Sequence, residues 1–132
     1  MTRKNKLNLI VFFLYCAVLL LMSGFKSAEM YLQYINGFER WLGGDKLMHL
    51  YLAMMLALLA MPLARAVTYK NKALNVFTLF IILITCLLLD ELHQAMVGSR
   101  HFDWLDTLYG GLGLIIGLTI RLFFERFFIK NN

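Results

Sequence analysis

The chain has 132 residues, 61% of them hydrophobic and 16% charged, with a formal net charge of +5. A soluble domain is roughly half apolar and about a quarter charged, so this composition excludes an ordinary soluble globule and points to a bilayer as solvent. Four spanning helices of about 20 residues each would use most of the length, leaving one compact domain over residues 7–124, and the scatter of basic residues over helix ends excludes a nucleic-acid surface.

Residues 7–25 form the first apolar run, behind Arg3, Lys4 and Lys6. Such a start also suits a signal peptide, with Ser27-Ala28 resembling a cleavage site. The run is longer than a signal-peptide core, and Phe25 and Lys26 crowd the site, so a retained anchor is expected. Next, Met30, Tyr31, Tyr34, Ile35, Phe38, Trp41 and Leu42 recur at helical spacing, with Glu29, Gln33, Asn36, Glu39 and Arg40 on the other face. That pattern predicts an amphipathic interfacial helix between the first two spans, stopped by Gly43-Gly44.

The second run covers residues 47–64, with Pro62 near its end, where a missing backbone donor costs least. The third covers 74–96, with Gly98 as a helix stop. The fourth covers 105–124, where Gly110, Gly113 and Gly117 form a stripe that lets a neighbouring helix approach closely, with packing inside the chain expected ahead of dimerisation. Cys16 and Cys86 fall inside apolar runs and have no metal or disulfide spacing. Trp41, Phe102 and Trp104 suit an interfacial aromatic belt.

Nine Lys/Arg lie in the N-terminal tail, the 65–73 loop and the C-terminal end, against four (Lys26, Arg40, Lys46, Arg100) on the other side. The positive-inside rule then expects both termini in the cytoplasm, which agrees with an even number of spans placing both on one side. All acids but Glu125 fall on the outer side. The fold class expected is therefore all-α, an integral membrane four-helix bundle.

The outer ends of three spans carry the candidate site residues: Asp45, Lys46 and His49; then Asp90, Glu91, His93 and Gln94; then Arg100 and Asp106, with Asp103 beside them. Ionisable groups within spans are rare and costly. Asp45 and Asp106 stand at helix starts, where capping would explain either alone. Asp90 and Glu91 stand at a helix C-terminal end, where the dipole disfavours negative charge, so a cationic partner is expected: Arg100 or Lys46 from the protein, or alternatively a metal or a cationic ligand group. Asp90, His93 and Gln94 share a face at i, i+3, i+4, which turns Glu91 toward the rim. Two histidines among carboxylates suit acid–base chemistry or metal ligation, but His-Glu-x-x-His is absent and neither a metal nor a cofactor is expected.

These residues resemble the VanZ-like family of bacterial membrane proteins. The resemblance rests on Asp45-Lys46-x-x-His49 opening one span, Asp90-Glu91-x-x-Gln94 closing the next, and Arg100 six residues before Asp106, which leads a helix with Gly113 and Gly117. One departure stands at Gly110, where the family commonly has asparagine, so any contact made by that amide has to come from elsewhere. The resemblance implies the bacterial inner membrane and an envelope role. Its name-giving member is associated with low-level resistance to the glycopeptide teicoplanin, a property that does not transfer with the domain.

Three functions compete. The first is binding of a membrane lipid or lipid-linked envelope precursor, with Arg100 and Lys46 meeting phosphate. The second is a hydrolase or transferase on such a lipid, with His49 or His93 as base and Asp90 or Glu91 orienting it. The third is a structural partner protein whose polar network only locks the helices. The first is the expectation carried forward, with catalysis and oligomeric state left open.

Overall fold

The computed structural model describes residues 3–65, 71–97 and 101–128. It is all-helical. The helices are α1 (Arg3–Ser27), α2 (Leu32–Trp41), α3 (Asp45–Ala60), α4 (Lys72–Ala95) and α5 (Trp104–Phe128), with a tight 3-10 turn, Met61–Arg65, after α3. Four stretches are long and apolar enough to cross a membrane: Lys6–Ser27, Asp45–Leu63, Ala73–Ala95 and Trp104–Phe127. Nineteen residues is the shortest of these. At about 1.5 Å per residue that matches a hydrocarbon core of about 30 Å. The helices extend past the apolar runs because backbone hydrogen bonding does not stop at the first charged side chain; Asp45 and Lys46 thus belong to α3. Pro62 falls inside the 3-10 turn, where its missing N–H leaves the α-helical ladder of α3 intact.

The first connection is built by two helix stops of the same kind. At the end of α1, the Met30 amide donates to Phe25 O at 2.8 Å and the Glu29 amide to Lys26 O at 3.2 Å. At the end of α2, the Gly44 amide donates to Glu39 O at 2.7 Å and the Gly43 amide to Arg40 O at 3.2 Å. Both are Schellman stops, which need a left-handed residue just past the helix. Gly43, at φ 96°, meets that need without a Cβ, whereas Glu29, at φ 56°, meets it with one.

The amphipathic prediction for α2 holds with a different division of faces. Ile35 is buried against the protein, while Tyr31, Tyr34, Phe38 and Trp41 are exposed. Glu39, assigned to the outer polar face, is half-buried and turns inward. An aromatic outer side suits an interface between water and lipid tails.

α3 is the central element. It packs most extensively on α5, and also touches α1 and α2, while α4 rests on α5. The glycine stripe explains the α3–α5 contact. A methyl on Gly113 would collide with the Leu50 carbonyl, and one on Gly117 with the Met54 carbonyl and with Ala57 Cβ at 2.8 Å. The stripe therefore serves packing inside the chain, as expected. Beside it lies a core of Ala53, Leu56, Ala57, Leu79, Leu83, Leu114 and Leu118. The Tyr15 hydroxyl donates to Leu52 O at 2.8 Å, which joins α1 to α3 and satisfies a polar group in mid-span. Cys16 is half-buried and Cys86 exposed on α4.

Candidate functional site

The end of α1, the start of α3, the end of α4 and the start of α5 meet at one end of the molecule, with α2 beside them. Two polar groups form there. In the first, the Lys46 ammonium donates to Asp103 and Asp106 and lies 3.6 Å from Asp45. Lys26 donates to Glu39 and, at 3.1 Å, to Asp45. His49 Nε2 stands 3.7 Å from Asp45 Oδ1 and 3.6 Å from Asp106 Oδ2.

In the second group, Gln94 Nε2 donates to Ser23 Oγ at 3.2 Å and also to Asp90 Oδ2, and Ser23 Oγ donates to Asp90 Oδ1 at 3.0 Å. Gln94 Oε1 is buried with no hydrogen-bond partner. Glu91, buried, accepts the Asp103 amide at 2.9 Å and so ties the end of α4 to the approach to α5.

Four expectations are corrected by this geometry. Glu91 does not reach the rim: Leu87, Asp90, Glu91 and Gln94 form the inward stripe of α4, and His93 is exposed. The packing of α4 on α5 sets that rotation, which spacing along a single helix cannot fix. Asp106 is not the cap of α5. Asp103 takes that place, accepting the Leu105 amide at 2.9 Å, which frees Asp106 to face inward at 5% exposure. Lys46 does not compensate Asp90 and Glu91, because it is held by the carboxylates of α5 and its approach; neutral donors from Ser23, Gln94 and the Asp103 amide serve those two acids instead. Finally, His49 sits with Asp45 and Asp106, not with Asp90 or Glu91 as an orienting acid. Arg100 and Gly98 lie outside the described residues.

The sequence pattern places Asp103 beside the site but does not mark Lys26, Ser23 or Glu39 as part of it. Lys26 counted only toward topology, and Ser23 lay unremarked in an apolar run. Their spacing was the available signal: Ser23 and Lys26, at i and i+3, share a face at the end of α1.

Two cavities flank the cluster. An inner one of about 100 Å³ lies between α1, α3 and α4, with Ser23, Lys26, His49, Asp90 and Gln94 at its polar end and Leu19, Leu52 and Leu87 among its apolar walls. An outer cleft of about 370 Å³ is lined by Lys26, Glu29, Asp45, His101, Asp103 and Asp106. Lys26 borders both. Asp103 lies outside the spans; hydrogen bonds from Lys46 and then from the Leu105 amide hold its carboxyl below the ordinary value.

No family model, curated protein or solved structure matches the chain.

Proposed function

We propose that this chain is a VanZ-like protein of the bacterial inner membrane, with both termini cytoplasmic, whose outer polar cluster binds the headgroup of a membrane lipid or lipid-linked envelope precursor. The observation that carries the reading is the pairing of an outer polar cleft with an inner cavity that is polar at one end and apolar along its walls. An amphiphile has the same division, and a buried Gln94 Oε1 without a donor is an acceptor available to a headgroup hydroxyl or amine. The exposed aromatic side of α2 supports an interfacial position for the cleft.

Lipid analysis of the detergent-purified protein tests this. Specific lipid should copurify with the wild-type chain and be lost from Arg100→Ala and Gln94→Ala. A lipid profile equal to bulk membrane, unchanged by either substitution, would overturn it. A hydrolase or transferase is the second reading, favoured by His49 lying between two carboxylates; turnover of envelope lipids by purified protein, lost in His49→Asn, is the outcome that would move the conclusion there.

A further inference from the structure

His49 Nε2 is buried and lacks a hydrogen-bond partner, although two carboxylate oxygens stand 3.6 and 3.7 Å away. Those separations are too long for hydrogen bonds, which close at about 2.7–3.2 Å. They match two ligands of one ion instead, since tetrahedral bonds of about 2.1 Å place ligand atoms about 3.4 Å apart. Asp45, His49 and Asp106 each offer one ligand atom, all within 4.8 Å of one another.

We propose that Asp45, His49 and Asp106 hold a divalent transition-metal ion, Mn²⁺ or Zn²⁺, where the outer cleft meets the inner cavity.

Charge supports the assignment. Among the described residues, Glu39, Asp45, Asp103 and Asp106 face only Lys26 and Lys46. With His49 neutral, as a metal ligand must be, these four carboxylates outnumber the two ammonium groups they contact, and a bound cation would offset that excess. Lys26 does not block Asp45, because a carboxylate oxygen has a second lone pair. The ligand set mixes an imidazole with two carboxylates, which suits Mn²⁺ or Zn²⁺ better than Mg²⁺. The ligands come from α3 and α5, whose close packing at Gly113 and Gly117 fixes their separation before any ion arrives. Asp45 and Asp106 line the outer cleft, which gives the ion its route.

The ion also resolves a difficulty in the headgroup reading, on which this part of the inference rests. An acidic cluster repels phosphate, and Lys46 is already engaged by carboxylates. A bound cation with coordination positions open to the cleft would turn the same cluster into a phosphate acceptor.

The test uses the full chain in detergent, stripped with chelator and titrated near neutral pH with Mn²⁺ and Zn²⁺, with Mg²⁺ for comparison. One equivalent of Mn²⁺ or Zn²⁺ should bind, and the Mn²⁺ electron spin echo should show modulation from an imidazole nitrogen. Asp45→Asn, His49→Asn and Asp106→Asn should each weaken binding at least about tenfold, since even outer-shell losses cost that much. His93→Asn, at an exposed position on α4, should not. A wild-type chain that takes up neither ion stoichiometrically, or shows no nitrogen coupling, overturns the inference even if a variant misfolds. So does binding that the three substitutions leave unchanged. Lipid copurification without metal binding would sink the ion and leave the headgroup reading; metal binding with a bulk lipid profile would do the reverse.

Discussion

Ser23 of α1 donates its hydroxyl to Asp90 of α4 at 3.0 Å, while Gln94 donates to both. Asp90 is thereby satisfied by neutral donors at a helix end whose dipole opposes its charge. The bond also joins the first span to the third.

Ser23→Ala should therefore lower stability by about 1 kcal/mol, the scale of interhelical hydrogen bonds in membrane proteins. Unfolding in mixed micelles, followed by circular dichroism, measures it. A midpoint equal to wild type would show that the bond contributes nothing.

Gly113→Ala and Gly117→Ala should each destabilise by about 1–3 kcal/mol, because the added methyl meets rigid backbone of α3 and the helices must separate. Gly24→Ala is the control. Open space surrounds Gly24, so stability should hold or rise slightly. Equal effects at Gly24 and Gly117 would contradict the close α3–α5 approach.

Glu29→Gly should stabilise the chain. Glu29 closes α1 in a left-handed conformation, at φ 56°, that costs a residue with a Cβ about 1 kcal/mol. A rise in the thermal midpoint is the expected outcome, and a fall would mean that the Glu29 side chain contributes more than its strain costs.

Asp103 predicts an acid limb. Its carboxyl titrates below its ordinary 3.8 in the folded chain. A group with a depressed folded value contributes fully above the unfolded value and loses that contribution as pH falls through the folded one. Thermal stability should thus fall below about pH 4, and less steeply in Asp103→Asn, which keeps a good capping side chain. Coincident acid limbs for the two proteins would remove Asp103 from the account.

The four long helices, the amphipathic α2 and the end that carries the polar cluster were all legible in the sequence, because length, apolar periodicity and glycine stops are local properties. The inward set of α4 was not. Glu91 and His93 are two residues apart, and which one faces the protein depends on how α4 rotates against α5. Asp106 was legible as important but not for its role, since Asp103, three residues earlier, competes for the same cap and wins. Asp45, His49 and Asp106 were each legible as site residues, but their convergence was not, because they come from two helices far apart in the chain.

The interlock of Gly113 and Gly117 with α3 has a consequence for biosynthesis. During membrane insertion, α3 leaves the ribosome well before α5, and α4 comes between them. Until α5 arrives, Lys46 has neither Asp103 nor Asp106, and His49 has only one of its two carboxylate neighbours. The α3–α5 part of the cluster thus forms only when α5 docks, whereas the Lys26–Asp45 and Ser23–Asp90 contacts need only earlier elements.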